Sequence, residues 1–126
     1  MNKSEFLQAL EQFLQREGLD RSEVGIVAGG ACVMRGVRSD TKDIDLGVSL
    51  EVYNKLVQKY PSKEKIEGRL LTLDGVDIIR QDFTYIRNHL GWRVQTLRSI
   101  LAYRTQLHGT QDENVRMLTR MLGIPH

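Results

Sequence analysis

The sequence predicts an α/β domain of the α+β kind, with a mixed sheet of about four strands, covered mainly on one face by helices and followed by a C-terminal helix pair. Three observations carry this. Apolar residues recur at helical spacing in four stretches, 2–17, 49–60, 96–109 and 110–122, and a shorter helix is expected at 31–35. Short apolar runs of strand length lie at 24–28, 43–48, 69–73 and 76–80. The two patterns interleave, strand, helix, strand, helix, and then two strands separated by a turn dipeptide.

Each element has its own local reason. In the first helix Phe6, Leu7, Leu10, Phe13 and Leu14 share a face, Asn2 and Glu5 form a cap, and Gly18 supplies the stop. Val24 to Ala28 reads as a strand running into Gly29-Gly30, with the short helix Ala31 to Arg35 behind it. A polar loop from Arg35 to Lys42 leads to the strand Asp43 to Val48. Ser49 caps a helix with Val52, Tyr53, Leu56, Val57 and Tyr60 inward, and Pro61 ends it.

Pro61 to Gly68 reads as a charged connection. Arg69–Leu73 and Val76–Arg80 form a hairpin across Asp74-Gly75, a dipeptide suited to a tight turn. Gln81 to Trp92 reads either as an edge strand with a loop or as a loop packed on the core. Thr96 opens a helix with Leu97, Ile100, Leu101 and Leu107 inward. Thr110 and Glu113 are expected to cap the last helix, whose inward face is Val115, Leu118, Met121 and Leu122 before Gly123 and Pro125 stop it.

The 126 residues suit a single domain over 1–126, with 27% charged and 40% hydrophobic residues excluding a disordered or fibrous class. No apolar run approaches the roughly 20 residues that span a bilayer, and the polar N-terminal stretch lacks a signal-peptide apolar region, so a cytoplasmic, non-membrane protein is expected. The lone Cys32 rules out an internal disulfide and reads as a packing residue. His89, His108 and His126 lack metal spacing; Tyr85 and Trp92 could stack a base, but aromatic residues after a strand are more often packing. Charge is uneven: residues 80–126 hold seven Arg, no Lys and three acids, a net of +4, against −2 for the remainder. That asymmetry favours a phosphate-bearing partner near the C-terminal half.

The chemistry concentrates in 26–48, IVAGGACVMRGVRSDTKDIDLGV. Strand side chains alternate, so Asp43, Asp45 and Gly47 share one face while Ile44, Leu46 and Val48 share the other. Two carboxylates so close repel unless a cation joins them, and hard oxygens suit Mg²⁺ or Mn²⁺. A third carboxylate is then expected nearby. Asp77 alternates with the apolar Val76 and Ile78 and is the leading candidate; Asp74 and Asp82 are its rivals, with Asp74 claimed by the turn. Gly29 and Gly30, at a strand end that opens a helix, let backbone approach a phosphate.

The stretch GGACVMRGVRSDTKDID resembles the nucleotidyltransferase superfamily that includes DNA polymerase β, whose signature is a glycine pair, an Asp-apolar-Asp and a later third carboxylate. Its spacing is similar to that in tRNA-terminal nucleotidyltransferases. It resembles still more the small stand-alone nucleotidyltransferases related to abortive-infection toxins, with Arg38, Thr41, Asp43 and Asp45 on their R…T-x-D-I-D stretch. The C-terminal TLRSILAYRTQLHGTQDENVRMLTRML is similar to their helix pair, with Arg104 in the place of a Lys and Gln111-Asp112 in the place of Lys-Asp.

The resemblance implies a minimal nucleotidyltransferase fold and two-metal nucleotidyl transfer, ATP or another nucleoside triphosphate being the donor. Asp43, Asp45 and Asp77 would be the catalytic and metal-binding residues. Gly29, Gly30, Arg38, Thr41 and Arg104 would hold the nucleotide. The acceptor is expected to be an RNA end, a protein hydroxyl or a small molecule. Two other classes compete: a catalytically idle domain of this kind that binds a nucleotide or a protein partner in a toxin–antitoxin setting, and a basic nucleic-acid-binding module built on the Arg-rich half.

Overall fold

A computed structural model of the chain describes residues 1–123; Pro125 and His126, the expected helix stop and surface histidine, lie outside them. Among the described residues, five α-helices surround one seven-stranded sheet, so the α+β class holds. The helices are α1 (Lys3–Glu17), α2 (Ala28–Met34), α3 (Leu50–Lys59), α4 (Leu97–His108) and α5 (Glu113–Met121). The strands are β1 (Val24–Ile26), β2 (Ile44–Val48), β3 (Glu64–Ile66), β4 (Leu70–Leu73), β5 (Val76–Arg80), β6 (Ile86–His89) and β7 (Trp92–Gln95), ordered β3-β4-β5-β2-β1-β7-β6.

The expectation of about four strands is corrected to seven: β6 is the edge strand that one reading of 81–92 allowed, while β3 and β7 were not expected. β3 and β6 are the two edges of the sheet, and their sequences EKI and IRNH are too polar to show strand alternation. The β6–β7 hairpin turns on Leu90-Gly91 with φ +54° and +83°, the same left-handed pair that Asp74-Gly75 adopts at +47° and +82°. Asp-Gly announces such a turn and Leu-Gly does not.

The centre of the sheet mixes directions. β1 runs antiparallel to β2 and parallel to β7, while β2 runs parallel to β5. Ile44, Leu46 and Val48, Val76 and Ile78, Leu71 and Leu73, and Trp92 and Val94 form one buried cluster with Phe6, Leu10, Phe13 and Leu14 of α1 and Val52, Tyr53 and Leu56 of α3. Burial of this set at about 25 cal/mol per Å² holds the layers together. The alternate residues, Asp45, Thr72 and Asp77, are left on the other face, outside this core.

Helix ends follow their chemistry with three corrections. Asn2 and Glu5 form the expected capping box, and Gly18 at φ +68° closes α1. Ser49 and Thr96 cap α3 and α4 as expected. The short helix starts at Ala28, three residues before the expected Ala31, so the glycine pair lies inside its first turn. Asp112, not Thr110, caps α5, its carboxylate accepting the Val115 N–H at 3.1 Å. Leu107 and Met121, expected inward, are exposed, whereas Ile100, Val115 and Leu118 are buried.

Candidate functional site

The carboxylate face is built by strand register. Asp43 is exposed at the residue before β2, and Asp45 lies half-buried within it. In the parallel β2–β5 pair Asp45 stands opposite Asp77, and neighbouring strands lie about 4.8 Å apart. On the other side of β5, Thr72 is Asp77's antiparallel partner and donates its hydroxyl to Asp77 Oδ1 at 2.7 Å. The Val27 N–H donates to the Asp45 carbonyl at 3.2 Å, tying the end of β1 to the same point.

Electrostatics mark the centre. Burial pushes the Asp45 carboxyl up to about 6 from its ordinary 3.8, and the negative charges of Asp77 and Asp43 push in the same direction. The rival acids are engaged elsewhere. Asp74 sits in its turn, 3.3 Å from the Arg16 guanidinium, and Asp82 accepts the Thr84 N–H at 3.0 Å. Among the described residues no three His, Cys, Asp or Glu side chains are closed into a metal-ligand group. The donor set of Asp43, Asp45 and Asp77 nonetheless has the chemistry of a hard-cation site: hard oxygens, mutual repulsion and a raised carboxyl that a cation would lower.

Cationic groups gather on the adjoining side. A Cβ on Gly29 would stand 2.5 Å from Thr41 Oγ1 and 3.6 Å from an Arg38 guanidinium nitrogen. Cys32 lies one turn further along α2. Its buried thiol is raised by desolvation, and the positive charges of Arg104 and Arg38 act in the opposite direction. Arg104 is weakly held, 4.0 Å from Asp112, and its buried Nε makes no hydrogen bond among the described residues.

Gly30 and Thr41 fill different roles from Gly29. A Cβ on Gly30 would meet the Phe6 ring at 2.5 Å, so this glycine lets α1 and α2 approach each other. Thr41 is buried, and its hydroxyl donates to the Asp43 carbonyl at 3.3 Å, fixing the loop that delivers Asp43. Between β1 and the glycines Ala28 takes φ +55°, a conformation that costs a non-glycine residue about 1 kcal/mol or more. Its N–H is held by Gln95 Oε1 at 3.0 Å.

Sequence reasoning missed the amide-bearing wall next to the carboxylates. Gly25 and Gly47 are direct partners across β1–β2, and a Cβ on either would collide with the side chain above it, Ile86 over Gly25 and Gln81 over Gly47. Beyond them is a cavity of about 280 Å³ lined by Gln81, Asp82, Tyr85, Ile86, Gln95 and Ser99. A second cleft of about 520 Å³, lined by Ser49, Leu50, Arg80, Gln81, Asp82 and Phe83, opens past the end of β2. Gly47, on the aspartate face, was the one signal that something lies close to the sheet here. Trp92 is buried under the Arg21 guanidinium as a packing residue, but Tyr85, read the same way, is 64% exposed. His89 is half-buried against the Met34 carbonyl, and His108 is exposed.

Fold and site together define an α+β domain whose mixed sheet carries Asp45 and Asp77 as direct partners on the face turned away from its core. No family model, curated protein or solved structure matches the chain. No helix among the described residues is long and apolar enough to cross a membrane.

Proposed function

We propose that the protein is a Mg²⁺-dependent nucleotidyltransferase of the polymerase β-like superfamily, moving a nucleoside monophosphate from a triphosphate to a hydroxyl acceptor. The observation that carries this reading is the pairing of Asp45 with Asp77 across β2–β5, with Asp43 near them and tied through Thr41 to the side where Gly29 and Arg38 lie. A carboxylate cluster alone suits any divalent cation. A carboxylate cluster joined through Thr41 to a guanidinium and a bare Cα suits a cation that arrives with a polyphosphate.

Asp43, Asp45 and Asp77 would hold the ions, which when bound neutralise phosphate charge and acidify the attacking hydroxyl. Asp77, whose Oδ1 accepts the Thr72 hydroxyl at 2.7 Å, would take the hydroxyl proton. Arg38 and Arg104 would hold the β- and γ-phosphates, Gly29 giving them room. The acceptor oxygen forms a bond to the α-phosphorus, the bond from that phosphorus to the bridging oxygen breaks, and pyrophosphate leaves. The reaction needs in-line positioning and charge neutralisation, and the ions and arginines would supply the second. Thr41 serves by placing Asp43, and Gly30 by seating α2.

The test is incubation with each α-labelled nucleoside triphosphate, Mg²⁺ and candidate RNA, protein and small-molecule acceptors, beside Asp45→Asn and Asp77→Asn proteins. Label transfer that survives both substitutions would sink the assignment. Nucleotide binding without transfer to any acceptor would instead favour the idle, partner-regulated form of the same domain.

A further inference from the structure

The 280 Å³ cavity beyond the Gly25–Gly47 pair has a chemistry distinct from the carboxylate face, and no step above uses it. Of the six residues lining it none is cationic, and Asp82 brings a negative charge, so a phosphate is repelled. Gln81, Gln95 and Ser99 offer uncharged donors and acceptors, and Ile86 and Tyr85 offer flat or apolar surface. A neutral, planar group with hydrogen bonds along its edge is what these residues match. The size fits as well: cavities that enclose whole drug-sized ligands run from roughly 300 to 1,000 Å³, so this one takes a fragment such as a single heterocycle.

Its orientation is built in. Gln95 Oε1 accepts the Ala28 N–H at 3.0 Å and its Nε2 donates to Ser99 Oγ at 2.9 Å, which fixes the amide and leaves the second Nε2 hydrogen and the Ser99 hydroxyl hydrogen for a ligand. Gln81 lies over Gly47, two residues along the strand from Asp45 and on the same face. The Tyr85 carbonyl accepts the Thr96 N–H at 2.8 Å, so the backbone of this wall is anchored while the ring stands 64% exposed. The cavity therefore begins where the carboxylates end, with its far wall tied through Gln95 to the residue before Gly29.

We infer that this cavity is the nucleobase subsite, the base of the bound triphosphate being held between Tyr85 and Ile86 and read at its edge by Gln81, Gln95 and Ser99. The inference rests on the proposed nucleotidyl transfer, and its test separates the two. Titration calorimetry measures the Mg²⁺ complexes of ATP, GTP, CTP and UTP against the Mg²⁺ complex of inorganic triphosphate, which has the phosphates but no base.

The expected result is that triphosphate binds and at least one nucleotide binds about 100-fold tighter, the worth of stacking with two neutral hydrogen bonds. Gln81→Leu and Ser99→Ala should each cost that nucleotide about 5-fold without changing triphosphate binding, and exposed Tyr85→Ala, which puts no folding at risk, should do the same. Nucleotides that bind no better than triphosphate overturn the subsite and leave the transferase reading standing. A base preference that all three variants retain also overturns it, because the base is then read elsewhere. If neither triphosphate nor any nucleotide binds, the transferase reading fails and the subsite with it.

Discussion

Replacing Asp45 by Asn should make the metal-free protein more stable, although Asp45 is the residue on which the proposed chemistry most depends. In the folded chain its carboxyl is raised to about 6 from 3.8, by burial first and then by Asp77 and Asp43. The fold thus binds this proton more tightly than the unfolded chain does. Stability from this group is highest below pH 3.8, falls as the pH rises through the window from 3.8 to about 6, and stays low above it. Two units at 1.36 kcal/mol each set a ceiling of about 3 kcal/mol, and partial exposure with solvent screening reduces this to about 1–2 kcal/mol.

Asn keeps the shape and removes the charge. Urea unfolding with a chelator present should give Asp45→Asn a gain of about 1–2 kcal/mol at pH 8, shrinking towards zero at pH 4. Added Mg²⁺ should raise the urea midpoint of the unsubstituted protein and leave that of Asp45→Asn nearly unchanged, since binding only the native state stabilises it. A variant that is less stable at pH 8, or a gain independent of pH, would refute the reasoning, because the like-charge cluster would then carry no cost.

Other outcomes follow from single contacts. Gly30→Ala should cost about 1–3 kcal/mol in urea unfolding by pressing on the Phe6 ring, and Phe6→Leu in the same chain should return part of the loss; no rescue would mean the glycine serves something else. Thr72→Val removes the hydroxyl that holds Asp77 and should weaken Mg²⁺-triphosphate binding by about 0.5–1.5 kcal/mol with little effect on folding. Arg38→Ala and Arg104→Ala should each weaken binding of a Mg²⁺-nucleotide and flatten its salt dependence, and an unchanged slope in calorimetry at several NaCl concentrations would remove that arginine from the phosphate site.

What could be read from the residues alone depended on whether a signal was local. The two strands around 26–48 and the Asp74-Gly75 hairpin carried their own punctuation, and alternation put Asp43, Asp45 and Asp77 on exposed faces before any register was known. That Asp45 and Asp77 are direct partners is a fact about pairing between distant strands, which no local pattern encodes. The Leu90-Gly91 hairpin escaped because its first turn residue adopts φ +54° without being a turn former. The wall of Gln81, Gln95 and Ser99 escaped for a further reason: uncharged polar residues are common on any surface, and the paired glycines lie beneath only Gln81 and the neighbouring Ile86. Gly29 and Gly30 looked alike in sequence and differ in space, one facing Thr41 and Arg38 and the other facing Phe6.

The central β1–β2 pair acts as a hinge of inheritance between two wings with different freedoms. On the β5 side, slipping the register by one residue would set Asp77 among the core residues and turn Ile78 out beside Asp45, so the pairing of the two acids cannot shift along the strands without breaking the core. The cavity wall, by contrast, is carried by side chains just past the end of β5, just before the edge strand β6 and in the first turn of α4, so Gln81, Tyr85 and Ser99 stand outside the core. Libraries randomised at those three positions should therefore remain folded while varying what the cavity accepts, giving an engineer a specificity handle that the carboxylate wing does not offer.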